Sequence, residues 1–100
     1  MITSKQRAYL RKMANSLQPV FQIGKGGITE EMIKQLDLVL EARELIKVRI
    51  LETALLDTHA ACDTVAEALH AEPVQSIGSK FVIYRRAREE KNRKIELPRK

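Results

Sequence analysis

Four consecutive residues, Gly24-Lys25-Gly26-Gly27, have the composition of a ligand-binding turn. Residues 20–23 form a short apolar run before them, and residues 28–33 have the pattern of a helix start. A Gly-x-x-Gly turn between a strand and a helix lets a ligand approach the backbone closely, because glycine has no Cβ and accepts positive φ. Its N–H groups and the Lys25 charge would suit an anion, so we interpret the turn as a grip on a phosphodiester backbone.

The glycine turn is weak evidence when taken alone, because most such turns only close a loop. The spacings of a Walker A loop and of a dinucleotide-binding loop are both absent. Glu30 and Glu31 fall in the first turn of the predicted helix, where they complement its dipole but would repel a phosphate. We therefore expect a bound backbone to lie on the Lys25 side of the loop.

Charge is segregated along the chain, which has a formal net charge of +5. Residues 1–25 hold five bases and no acid, residues 26–84 hold five bases against ten acids, and residues 85–100 hold eight bases against three acids. No Lys or Arg occurs between Arg49 and Lys80. This asymmetry favours a polyanionic partner that meets one face of the molecule.

Periodicity predicts an α-β-α-β-α-β-β order and a small four-stranded mixed sheet with helices packed on it, an α/β (α+β mixed) fold. The predicted helices span about residues 4–17, 29–42 and 57–70, and the strands span about residues 20–23, 45–51, 74–77 and 81–85. In the second strand, apolar residues alternate with Lys47 and Arg49. Gly78-Ser79 suits a two-residue hairpin turn. We assign residues 1–86 to one domain and residues 87–100 to a basic C-terminal tail, either helical or disordered.

The first predicted helix is amphipathic. Thr3 and Gln6 have the spacing of a capping box. Leu10, Ala14 and Leu17 recur with a helical period and predict the buried stripe. We expect a wholly basic outer face, formed by Lys5, Arg7, Arg11 and Lys12.

Catalytic and metal sites are not expected. Cys62 is the only cysteine, which excludes an intrachain disulfide and a CxxC metal site. His59 lies three residues before Cys62, but no oxyanion-hole motif accompanies them. We predict no catalytic residue, no metal and no cofactor. No apolar run is long enough to span a membrane, and we expect a monomeric cytoplasmic protein without a small-molecule substrate.

Several ordered motifs resemble the CRM domain family, named for chloroplast RNA splicing and ribosome maturation. They cover about residues 2–86 and comprise residues 3–11, Pro19, residues 22–29, residues 44–49, residues 75–78 and Tyr84-Arg85. The resemblance implies an RNA-binding module with a fold similar to the C-terminal domain of bacterial translation initiation factor three. It also implies a glycine loop like the RNA-clamping loop of KH domains.

The resemblance further implies that a free-standing chain of this kind associates with precursors of the large ribosomal subunit. Carried onto this sequence, the RNA-contacting residues are the loop glycines and Lys25, the basic helix, and Arg85 at the end of the last strand. The implied partner is ribosomal RNA, and the implied role is that of an assembly factor. A protein-interaction adaptor that uses the acidic third helix or the basic tail remains the alternative.

Overall fold

The computed structural model describes residues 2–99. Helix α1 spans Ser4–Ala14, strand β1 Pro19–Ile23, helix α2 Glu30–Arg43, strand β2 Leu45–Ile50, helix α3 Thr58–Leu69, strand β3 Glu72–Ile77 and strand β4 Lys80–Tyr84. Short 3-10 turns follow β2 at Glu52–Ala54 and β4 at Glu90–Asn92. The predicted element order and the mixed four-stranded sheet are confirmed.

The sheet has the strand order β1-β2-β4-β3. Strands β1 and β2 are parallel and joined through α2, whereas β4 pairs antiparallel with both β2 and β3. Gly78 has φ +60 at the β3–β4 turn, as a hairpin with glycine in its first central position requires. The carboxyl ends of β1 and β2 therefore meet at one edge, which we call the loop end of the sheet.

Two apolar clusters lie on opposite faces of the sheet. Helices α2 and α3 cover the larger one, in which residues such as Val48, Phe81 and Ile83 are fully enclosed. Helix α1 covers the smaller one with Leu10 and Ala14, against Val82 and other residues of the opposite sheet face. Burying a large apolar side chain contributes about 1.5–3 kcal/mol, so all three helices are anchored by these contacts.

Local capping explains where the helices begin. The Thr3 side chain accepts from Gln6 N, and the Gln6 side chain accepts from Thr3 N, which confirms the predicted capping box. Thr29 and Asp57 cap α2 and α3 through their side chains. Helix α1 ends at Ala14 rather than at the predicted Leu17, because the chain must turn before Pro19 enters β1.

Residues 85–97, which we call the C-terminal strap, pack along the domain. The strap leaves β4, makes its 3-10 turn beside α2, and then brings Ile95 and Leu97 onto the smaller apolar cluster. Gln6 Nε2 donates to Pro98 O at 2.9 Å, which ties the end of the chain to α1. The segment that we expected to be a separate tail thus shares a core with the rest of the domain. Within residues 2–99, no helix has the length and apolarity to cross a membrane.

Candidate nucleic-acid interface

The glycine loop lies at the loop end of the sheet, immediately after β1. Leu51 N donates to Ile23 O at 2.9 Å, which holds the last residue of β1 against the chain that leaves β2. Gly27 N then donates to Gly24 O at 2.9 Å and closes a four-residue turn with Lys25 and Gly26 at its centre. Lys25 is exposed. The fold therefore presents the Lys25 side chain at the tip of a turn anchored on two strands.

Three of the four loop residues are glycine, yet the internal geometry demands glycine at only one of them. Gly27 has φ +69, which favours glycine. A Cβ on Gly26 would have no atom within 4 Å, and one on Gly24 would lie in ordinary contact, 3.7 Å from Leu51 Cδ1. Neither has a positive φ. The bare backbone at Gly24 and Gly26 is therefore available to something that approaches from outside the chain.

The loop also offers unused hydrogen-bond donors. Within residues 2–99, no acceptor lies in hydrogen-bond geometry with the N–H groups of Lys25, Gly26 or Ile28. The Thr29 side chain caps α2 by accepting from Met32 N at 3.1 Å. Successive free N–H groups in a turn form an anion-binding concavity, and Lys25 adds a full charge beside it.

Helix α1 crosses the sheet with different residues on its two flanks. On one flank, Gln6 Nε2 donates to Pro98 O, just beyond the strap; on the other, Arg7 Nε donates to Pro73 O of β3 at 3.2 Å. Arg11 follows Arg7 by one helical turn and so lies on the same flank. Lys5 and Lys12 are exposed, whereas Arg7 is half-buried. The expected wholly basic outer face thus holds for three of its four residues, because Arg7 leans onto the sheet.

The sheet contributes cations that the sequence analysis did not select as site residues. On the α1 face, the rows of paired residues are Leu45 with Tyr84, then Lys47 with Val82, then Arg49 with Lys80. Helix α1 covers the first rows, while Arg49 and Lys80 at the loop end stay exposed. Gln22 of β1 pairs with Arg49 and lies three residues before Lys25. The row of Arg49 and Lys80 is therefore next to the glycine loop.

The pairing of Arg49 with Lys80 is unfavourable by itself. Side chains directly opposite on antiparallel strands have Cβ atoms about 4.5–5.5 Å apart, and like charges there are destabilising. No carboxylate among residues 2–99 forms an ion pair with either side chain. The alternation of β2 was the available signal for Arg49, but the acidic composition of residues 26–84 obscured it, and Lys80 gave none.

Arg85 lies apart from this surface. Its side chain is 8% exposed, and it forms an ion pair with Asp37 Oδ1 and donates to the carbonyl oxygens of Asp37 and Leu69. The pKa of Asp37 is lowered to about 2. A hydrogen bond from Arg88, together with the hydrogen bond and charge of Arg85, outweighs burial, which acts to raise that pKa. These contacts argue against the prediction that Arg85 contacts RNA, and we leave it out of the interface.

The helices on the other face of the sheet from α1 expose several acids. Asp63 and Glu67 are exposed on α3, as are Glu30 and Glu31 on α2. His59 Nε2 lies 3.5 Å from an Asp63 carboxylate oxygen at the surface, whereas Cys62 is enclosed and burial raises the pKa of its thiol. Among residues 2–99, no group of three His, Cys, Asp or Glu side chains could hold a metal ion. These acids are not confined to one side of the molecule, since Asp63 and Arg7 of α1 line the same shallow cleft at β3.

Comparison with known proteins agrees with this architecture. Residues 2–85 match the family model described as the CRS1 / YhbY (CRM) domain. The chain is 43% identical over 98 residues to Bacillus subtilis YqeI, which is named a probable RNA-binding protein. That match covers 98% of this chain and 100% of the relative. The chain is 32% identical over 99 residues to a Haemophilus influenzae protein named RNA-binding protein, which covers 99% and 97% of the two chains.

A solved structure gives the same result for the fold. The solution structure of the hypothetical protein SAV1595 from Staphylococcus aureus is 53% identical and superposes with a TM-score of 0.80. The match covers 98% of this chain and 100% of that one. The chain belongs to the CRS1/YhbY (CRM) domain family.

Proposed function

We propose that this protein binds structured RNA by its phosphodiester backbone, at the glycine loop and the basic surface beside it. The observation that carries the proposal is the state of the loop: free N–H groups, open space at the Cβ position of Gly26, no positive φ to require glycine at position 24, and Lys25 at the tip. Phosphate contacts of this kind set position and affinity without reading sequence. The protein acts as a binding module and not as an enzyme.

The neighbouring cations support the same proposal. Arg49 and Lys80 face each other without a carboxylate partner among the described residues, an arrangement that an anion would convert from repulsive to favourable. Arg11, Lys5 and Lys12 extend the positive charge across α1. Two relatives that the chain matches over 100% and 97% of their length are named as RNA-binding or probable RNA-binding proteins, which supports this assignment.

The RNA that we propose is ribosomal RNA in precursors of the large subunit, and the protein acts there as a monomeric assembly factor in the cytoplasm. The family resemblance of the sequence motifs supports this finer assignment. Sedimentation of cell extract through a sucrose gradient tests it. The protein should migrate with large-subunit precursors at low salt and return to the top of the gradient at high salt. A protein that stays at the top under both conditions contradicts the ribosomal role.

The salt dependence of RNA binding tests the loop itself. Each phosphate neutralised changes the slope of log K against log[salt] by about 0.7–0.9, so Lys25→Ala should reduce the slope by about one phosphate. Lys34→Ala, at an exposed position on α2, is the matched control and should leave the slope unchanged. A Lys25→Ala protein with the parent slope and affinity would remove Lys25 from the site.

A second candidate function is that of a protein-interaction adaptor. The observation that favours it is Leu55, which is 91% exposed two residues before Asp57, the N-cap of α3. An adaptor would hold one protein partner with little dependence on salt. RNA that copurifies with the protein and is lost at high salt favours the first proposal, whereas salt-insensitive capture of a single protein favours the second.

A further inference from the structure

A cleft of about 410 Å³ opens where β4 passes into the C-terminal strap. Three cationic side chains, one acid, one aromatic ring at the floor and two aliphatic side chains line it. These residues are Arg86, Arg93 and Lys94, then Glu96, then Tyr84, and finally Ile95 and Leu97. It lies at the opposite end of the strands from the glycine loop, because β4 ends at Tyr84 opposite the first residue of β2. The cleft is therefore a separate concentration of positive charge.

The strap that forms this cleft is held in place by a buried carboxylate. Glu44 is fully enclosed, and its side chain accepts from the N–H groups of Ala87, Lys94 and Ile95 at 2.7, 2.6 and 2.8 Å. Burial acts to raise the pKa of Glu44, but the three N–H groups together outweigh it and the pKa is lowered. An ionised Glu44 thus fixes the backbone on both sides of the strap turn.

Side-chain contacts add to this fixation. Arg93 donates through Nε to Ala87 O at 3.0 Å and through a terminal nitrogen to Arg88 O at 3.2 Å. Arg88 in turn pairs with Asp37 at 2.8 Å. The Arg93 charge is therefore preorganised at the cleft, which reduces the entropy that a ligand must offset on binding.

The floor of the cleft holds an unused hydrogen-bond donor. Tyr84 is only 5% exposed, and its hydroxyl, which makes no hydrogen bond within residues 2–99, keeps contact with the open cleft. Burial raises the pKa of that hydroxyl, so it stays protonated and able to donate.

We propose that this cleft is a second anion site that binds a phosphate group, supplied by the RNA backbone or by a free nucleotide. Arg86 and Lys94 provide charge, and the Tyr84 hydroxyl donates a hydrogen bond. The inference rests on the proposed RNA binding and extends it to the opposite end of the sheet.

Geometry relates the two anion sites. The six residues of β2 separate them by roughly 17 Å, at about 3.3 Å per residue. Helix α1 crosses the sheet between them, with Arg11 and Lys12 exposed. An RNA that reaches both sites runs over α1, and the basic residues there follow its path.

A paired substitution tests the cleft. Arg86→Gln with Lys94→Gln should weaken binding of structured RNA about 10-fold at low salt and reduce the salt slope by about two phosphates. The matched control, Lys34→Gln with Lys91→Gln, removes the same charge outside the cleft, since Lys91 pairs with Glu89. It should keep the parent slope. Tyr84→Phe should weaken binding about threefold with the slope unchanged, because it removes a donor and no charge.

Two ligands separate the sources of the phosphate. Adenosine monophosphate titrated into the full chain should shift the amide resonances of residues 84–97 if the cleft takes a free nucleotide, and Arg86→Gln with Lys94→Gln should abolish the shifts. Loss of RNA affinity in that variant, without nucleotide shifts in the parent, assigns the phosphate to RNA. Parent-like RNA affinity together with no nucleotide shifts overturns the cleft, while RNA binding that depends on Lys25 leaves the proposed function standing. A parent that binds no RNA overturns the proposed function instead.

Discussion

Two loops leave adjacent parallel strands at the same edge of the sheet, and each leads into a capped helix. Residues 24–29 connect β1 to α2, and residues 51–57 connect β2 to α3. Both contain a residue in the left-handed region, Gly27 with φ +69 in the first and Leu55 with φ +54 in the second. The backbone solutions are related, whereas the side chains are opposite in character.

Comparison of the two loops shows that a left-handed residue alone does not account for the glycines of the first loop. A left-handed residue costs an L-amino acid roughly 1–2 kcal/mol, and the second loop accepts that cost at Leu55 while exposing the side chain. The left-handed geometry therefore does not by itself require glycine at this edge. In the first loop, glycine also occupies Gly24 and Gly26, where no positive φ demands it. The first loop presents its backbone, and the second presents a side chain between Glu52 and Asp57.

The largest expected effect comes from placing acids in the first loop. Gly24→Asp with Gly27→Asp should weaken RNA binding by more than about 100-fold, since like charges brought together cost several kcal/mol. The protein should stay folded with a modestly lower melting temperature. Only Gly27 has positive φ, which costs roughly 1–2 kcal/mol, and the Gly24 Cβ meets only an ordinary contact.

The same two charges in the second loop provide the control for this prediction. Thr53→Asp with Leu55→Asp, both at exposed positions, should weaken RNA binding far less than the first pair, because the new carboxylates lie outside the turn that carries the free N–H groups. Melting temperature and RNA affinity are measured on the same preparations. Equal losses of affinity in the two variants would mean that general charge, and not the glycine loop, governs binding.

A smaller effect is expected beside the first loop. Arg49→Gln with Lys80→Gln should weaken RNA binding about 10-fold at low salt and lower the salt slope by about two phosphates. The free energy of unfolding should stay the same or rise by about 0.2–1 kcal/mol, because two like charges no longer face each other. Weaker binding together with lower stability would instead assign both side chains a structural role.

Removing acids from α3 should affect RNA affinity in the opposite direction from removing cations. Asp63→Ser with Glu67→Ser on α3 should leave RNA affinity unchanged or raise it slightly, because less negative charge remains to repel phosphate. Affinity is measured by filter binding, and circular dichroism checks the fold. A clear loss of affinity in a folded variant would show that RNA contacts α3 and that our proposal puts the binding surface in the wrong place.

The smallest effect tests Leu55. Leu55→Gly should relieve left-handed strain and raise the free energy of unfolding, by no more than about 1 kcal/mol. The gain is small because the unfolded chain is more flexible with glycine at this position, which offsets part of it. Leu55→Ala keeps the Cβ and should give no gain. Both should bind RNA like the parent. Marked destabilisation by either variant, measured by urea unfolding, would show that the exposed leucine makes a contact the folded chain needs.

The sequence predicted what depends on near neighbours. The capping box of Thr3 and Gln6 and the Gly78 turn were both recognisable, because each interaction spans at most three residues. Hydrophobic periods gave the element order for the same reason. The glycine loop was found as a motif, and its place after β1 followed from the apolar run before it.

Tertiary structure decided the rest, because those contacts join residues far apart in the chain. Strand pairing brings Arg49 opposite Lys80, which composition had placed at the two ends of an acidic stretch. Asp37, 48 residues before Arg85, turns that arginine from an expected RNA contact into a buried ion pair. Glu44 gathers N–H groups of the strap from about 50 residues away. No local pattern records such pairings, since they exist only when the sheet and the packing against it have formed.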